Sequence, residues 1–98
     1  MRVVDIRKKE DCFDGGIIYE YRFDDGFPQP LMRRLAVGGT LQFFPQFAKP
    51  FFKLAMAGGV QIKGIIGDLS IEVLFPRTRK MERKEEFEAV LAAALTPS

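Results

Sequence analysis

The sequence predicts an α+β fold: a single domain over residues 1–98, with an antiparallel sheet built from an N-terminal hairpin and a C-terminal three-stranded meander, and two helices packed on one face of that sheet. Three observations carry this reading. Gly58-Gly59 and Gly67-Asp68 cut Phe51 to Pro76 into three strand-length apolar runs. Ile17, Tyr19, Tyr21 and Phe23 alternate with Ile18, Glu20 and Arg22, the period-two pattern of a half-buried strand. Phe87, Val90, Leu91, Ala94 and Leu95 recur at the spacing of one helical stripe.

Taken in order, Arg2 to Lys8 reads as a short edge strand guarded by Arg7, Lys8 and Lys9, and Glu10 to Gly16 as the loop that returns the chain into Ile17 to Phe23. Pro28 to Val37 reads as a helix of barely three turns. Pro30 suits its first turn, Gly38-Gly39 stops it, and Leu31, Met32, Leu35 and Val37 are expected to dock it. Thr40 to Phe52 holds five of the chain's ten phenylalanines and is broken by Pro45 and Pro50, so a brief strand over Leu41 to Phe44 is followed by an irregular segment. Phe43, Phe44 and Phe47 in this stretch are candidates for an aromatic recognition loop or ligand contact, against the alternative of buried packing.

The meander strands are expected at Phe51 to Ala57, Val60 to Ile66 and Leu69 to Phe75. Two-residue connections then set Ala57 opposite Val60, Ala55 opposite Ile62, Gly64 opposite Ile71 and Ile62 opposite Val73. That register makes a core face of Ala55, Ala57, Val60, Ile62, Gly64, Ile66, Leu69, Ile71, Val73 and Phe75, with Lys53 at its margin and Gly64 leaving room for a helix. The opposite face carries Phe52, Leu54, Met56, Ile65 and Leu74 among polar residues, with Lys63 across from Glu72. Five apolar side chains on that second face exceed what a solvated sheet face carries, which marks them as a candidate interface. The C-terminal helix is expected over Met81 to Leu95 with Thr78 as its N-cap. Whether the N-terminal hairpin joins the meander's sheet or crosses it is left open.

Composition narrows the function classes. A net charge of +2 implies no polyanion partner by itself. No apolar run reaches the length of a membrane span and the first residues carry no signal-peptide core, so a cytoplasmic protein without membrane attachment is expected. With no histidine the commonest general base and metal ligand is missing, and no catalytic residue, cofactor site or metal site is assigned. Cys12 has no partner for a disulfide, and Glu10, Asp11 and Asp14 beside it disfavour a thiolate. Asp11, Asp14, Asp24 and Asp25 could gather at one sheet edge, but their spacing matches no calcium loop. The glycine pairs lack the strand-to-helix setting of a phosphate loop.

Arg77, Arg79, Lys80 and Arg83 form a basic cluster over residues 77–84 at the entry to the last helix, a candidate anion-binding site. With nearby phenylalanines it would suit a weak nucleic-acid binder, although Glu82, Glu85 and Glu86 interleave with it and count against that partner. The segment Gly59 to Phe75, through Ile62-Lys63-Gly64 alone, resembles the last strands of sterol-carrier-like domains; that likeness implies an apolar ligand held between sheet and helices.

The leading expectation is a non-enzymatic binding or assembly module, a homo-oligomer or a small subunit of a larger complex, that uses Phe52, Leu54, Met56, Ile65 and Leu74. The alternative is a carrier for a small apolar ligand in a cavity between sheet and helices.

Overall fold

All six strands join one antiparallel sheet in the computed structural model, which describes residues 1–96. The chain runs β1 (Val3–Asp11), β2 (Ile17–Phe23), α1 (Gln29–Leu35), β3 (Thr40–Phe44), β4 (Phe51–Ala55), β5 (Gln61–Ile65), β6 (Ser70–Phe75) and α2 (Lys80–Leu95). The spatial order is β1-β2-β6-β5-β4-β3, so the N-terminal hairpin joins the meander's sheet through a central pairing of β2 with β6. The strand expected over Leu41 to Phe44 extends the meander as the edge strand β3.

Both helices lie on one face. Leu31, Met32 and Leu35 of α1 and Phe87 and Leu91 of α2 are buried against Tyr21, Phe23, Phe52, Leu54, Ile62, Ile71, Val73 and Phe75. Arg34 Nε of α1 donates to the Ala94 carbonyl in the last turns of α2 at 2.9 Å, which ties the helices together. Five of the ten phenylalanines are in this core, and their rings contact in sequence: Phe23 with Phe27, Phe27 stacked on Phe52 at 5.3 Å, and Phe75 edge-on to Phe87. Phe27 belongs to a loop, yet it is fully buried. Its N–H donates to Asp68 O and its carbonyl accepts from Gly67 N, so the loop is pinned to the β5–β6 turn and its ring is aimed inward.

The β5–β6 register is the expected one, with Ile62 opposite Val73, Lys63 opposite Glu72 and Gly64 opposite Ile71. The β4–β5 register is not. Ala57, Gly58 and Gly59 form a short 3₁₀ turn closed by Met56 N donating to Val60 O, with Gly58 and Gly59 both at positive φ, so the loop is one residue longer than a two-residue hairpin. Leu54 therefore pairs with Ile62 and Phe52 with Gly64. A one-residue slip turns a strand over. Phe52 and Leu54 are core residues at 0% and 1% exposure, while Lys53 and Ala55 face solvent. Burying a phenylalanine and a leucine in place of a lysine and an alanine is worth about 1.5–3 kcal/mol for each large side chain, enough to decide the register.

Gly64 leaves its gap to a different neighbour than expected. A Cβ there would sit 2.7 Å from Phe52 Cε1 and 2.9 Å from Ile71 Cγ2, so the ring opposite, rather than a helix, occupies the space. Three further boundaries differ. Val37 lies beyond α1 and is exposed, and β1 runs on to Asp11 with register shifts near Val3 and Lys8 that disrupt the free edge. At the start of α2 it is Arg79, in the left-handed region at φ 57°, that holds the N-cap position, not Thr78, and no side chain caps the helix.

Candidate functional site

The helices cover one face of the sheet, and the other face is built from the alternate residues of the same strands. Cross-strand pairing arranges these residues in three rows. The middle row runs Arg7, Glu20, Glu72, Lys63, Lys53, Gln42. One flanking row runs Ile18, Leu74, Gln61, Ala55, Thr40. The other passes through Arg22 and Ser70 on one side and Ile65, Phe51 and Phe44 on the other.

Two like-charge pairs stand out in the middle row: Glu20 directly opposite Glu72, and Lys53 directly opposite Lys63. Like charges placed opposite one another destabilise a sheet. Lys9 reaches from β1 to an ion pair with Glu72, which relieves the acidic pair. Among the described residues, Glu20, Lys53 and Lys63 make no ion pair.

At one corner Phe44 and Phe51 stack at 4.6 Å, and Phe47, from the loop between β3 and β4, tilts against both. This aromatic corner stands beside a shallow bowl of about 420 Å³ that includes Lys53, Lys63, Phe51, Ile65 and Ser70.

The expected interface residues are thus dispersed. Phe52 and Leu54 are in the core, and Met56 packs partly against it. Ile65 and Leu74 do face away from the helices, half-buried, but in different rows with Lys63 between them. Of the aromatic candidates, Phe43 packs against the core, and Phe44 and Phe47 join the open corner. Sequence reasoning missed Phe51 and Lys53 as members of this face. The signal that could have found them is the alternation of Phe52 and Leu54 with Lys53, which outweighs loop length.

The basic cluster does not converge on one point. Arg79 pairs with Glu82 and Arg83 with Glu86, each one helical turn on, while the aliphatic part of Arg77 lies over Gly15. The aspartates are also separated: Asp11 and Asp14 lie at one end of β2 and Asp24 and Asp25 at the other. Asp14 accepts from Gly16 N and Asp25 from Gly26 N, both local turn contacts, while Asp24 accepts from Arg2 N and ties the start of the chain to the end of β2. No group of three potential metal-ligating side chains forms among the described residues. Burial pushes the Cys12 thiol up, and Asp14, Glu10 and Asp11 push it further.

Compared with family models, curated proteins and solved structures, this chain matches none. No helix among the described residues is long and apolar enough to cross a membrane.

A second concavity, about 500 Å³, lies on the helical side between β1 and α2, where Val3, Ile6, Leu91 and Leu95 line it above Tyr21 and Glu88. Tyr21 Oη donates to Glu88 Oε2 at 2.7 Å, and Lys84 Nζ donates to the same oxygen at 2.7 Å. Burial works to raise the Glu88 carboxyl, yet hydrogen bonds from Lys84 and Tyr21 outweigh it and hold the group below the usual carboxylate range. Burial, followed by the hydrogen bond to Glu88 and its charge, pushes the Tyr21 phenol far above its ordinary value. Its folded-state value lies above the unfolded one, so the stability from the neutral phenol is fully present below about pH 10 and is lost as pH rises beyond that. In a Tyr19→Phe background, where Tyr21 is the sole tyrosine, phenolate absorbance should develop only together with loss of far-ultraviolet ellipticity. Ionisation near pH 10 in a still-folded protein would contradict the buried Tyr21–Glu88 pair.

Proposed function

We propose that this chain is a non-enzymatic binding and assembly module whose working surface is the helix-free face of its sheet. One observation supports this above the others: a six-stranded sheet carries helices on only one side, and its bare side presents a stacked phenylalanine corner beside unpaired lysines. Aromatic rings next to charges that lack partners are what a protein interface uses for its anchor and its rim. The lone thiol, with no disulfide to keep, suits the cytoplasm as the setting.

The test is a photo-activated cross-linking side chain placed at Phe51, on the face, and at Phe13, fully exposed in the β1–β2 loop. In the native host, a discrete protein adduct is expected from position 51 and none from position 13. Equal labelling at both, or none at either, would sink the reading.

The concavity between β1 and α2 favours a second reading, a carrier for a small apolar molecule. Its volume is in the range of ligand pockets, and apolar side chains from both elements line it. Phe43, Phe44 and Phe47, the expected aromatic candidates for ligand contact, lie at the opposite edge of the sheet and take no part. Mass spectrometry of the native protein, without denaturation, should then show a discrete mass beyond the chain; its absence in freshly purified protein would remove the carrier reading.

A further inference from the structure

We infer that the partner of the helix-free face is a second copy of this chain, stacked sheet on sheet about a two-fold axis that runs parallel to the strands between β5 and β6. The inference rests on the assembly reading and gives it a definite occupant.

Charge placement selects this occupant. The Glu20–Glu72 pair and the Lys53–Lys63 pair lie in the same row, on opposite sides of the line between β6 and β5. Within one molecule the Lys53–Lys63 pair is unrelieved, and Lys9 relieves the acidic pair only at Glu72, leaving Glu20 without an ion partner among the described residues. A two-fold axis along that line reverses the row of one copy over the other. Glu72 then meets the second copy's Lys63, and Glu20 meets its Lys53. A two-fold interface uses the same patch twice, so it must be self-complementary.

The flanking row behaves the same way. Arg22, which makes no ion pair among the described residues, is brought over the phenylalanine corner at Phe51, where a guanidinium stacks favourably on a ring face. An axis at right angles to the strands would instead set glutamate on glutamate and lysine on lysine. The geometry therefore selects one axis.

The face sets the strength. Six strands spaced about 4.8 Å apart, each contributing about five residues at about 3.3 Å, give roughly 500 Å² of flat area per copy, near the lower limit for a specific interface. The dimer is therefore weak and salt-sensitive, because partly exposed charge pairs are screened.

Sedimentation velocity of the full chain at about 0.1 M ionic strength, where the Debye length is about 10 Å, should show a concentration-dependent monomer–dimer equilibrium. It should weaken at least tenfold when salt is raised to about 1 M, where that length falls to about 3 Å. The double variants Glu20→Lys with Glu72→Lys, and Lys53→Glu with Lys63→Glu, should each be monomeric alone and should form a one-to-one heterodimer when mixed. Circular dichroism confirms that each is folded; should either swap fail to fold, the neutral pairs Glu20→Gln with Glu72→Gln and Lys53→Gln with Lys63→Gln should each weaken the dimer.

A wild-type chain that stays monomeric at every concentration overturns the inference, as does a dimer indifferent to all four double variants, or swapped variants that do not restore one another. A monomeric wild type that still cross-links from position 51 to a different protein would remove the second copy while leaving the assembly reading in place.

Discussion

Phe52→Ala is expected to lower the unfolding free energy by about 3–5 kcal/mol, the usual loss when a fully buried phenylalanine is truncated and its site cannot collapse. The ring is packed against neighbours from both strand and loop. Phe27 stacks on the ring, and Gly64 lies under it as the residue directly opposite in β5. Gly64→Ala should lower stability by about 1–3 kcal/mol, since its methyl would press on the Phe52 ring and on Ile71. Combining the two should give far less than the sum, because the methyl enters the space that the ring has left. Urea unfolding of the two single variants and the double measures this coupling, expected to exceed about 1 kcal/mol for residues in direct contact. Simple additivity would show that Gly64 is glycine for some reason other than the ring.

The second large effect separates two positions that the sequence alone places on one face. Leu54→Lys should strip away a large part of the chain's stability and melt far below the wild type. Leu54 is 1% exposed, and an unpaired charge at such a site removes about 3–5 kcal/mol from a total of roughly 5–15. Ile65→Lys, on the helix-free face, should shift stability by no more than about 1 kcal/mol. Thermal melts followed by circular dichroism decide between them. Equal tolerance at the two positions would mean that β4 is turned the other way, with a two-residue β4–β5 hairpin.

That contrast also shows how much of the molecule is legible from its sequence. Alternation identifies β2 and its two faces without ambiguity; of the helical stripe of α2, Phe87 and Leu91 are buried and Ala94 and Leu95 pack against the core, while Val90 is exposed. The β5–β6 register comes from the charged pair and the glycine turn. The β4–β5 register does not, because two adjacent glycines close a two-residue or a three-residue loop with equal ease, and the choice rests on which side chains the core needs. The strand composition holds that answer: Phe52 and Leu54 against Lys53. The central β2–β6 pairing and the place of the N-terminal hairpin are beyond reach, since nothing local in either strand names its neighbour. The open face is illegible for the same reason. Its opposed like charges exist only once four strands are side by side.

The order of strands carries a consequence for how the molecule assembles. β3, β4, β5 and β6 neighbour one another in space as they do along the chain, and β1 with β2 is a separate hairpin. Each half closes short loops, whereas the β2–β6 seam joins opposite ends of the chain and bears the largest loop-closure entropy. The two halves should therefore organise first and zip together last. Until they do, the inner edges of both, Ile17–Phe23 and Ser70–Phe75, are bare apolar strands able to capture the complementary half of another chain. The centre of the finished sheet is thus the most exposed edge of the unfinished one, and crowding during synthesis bears on this protein through that edge first.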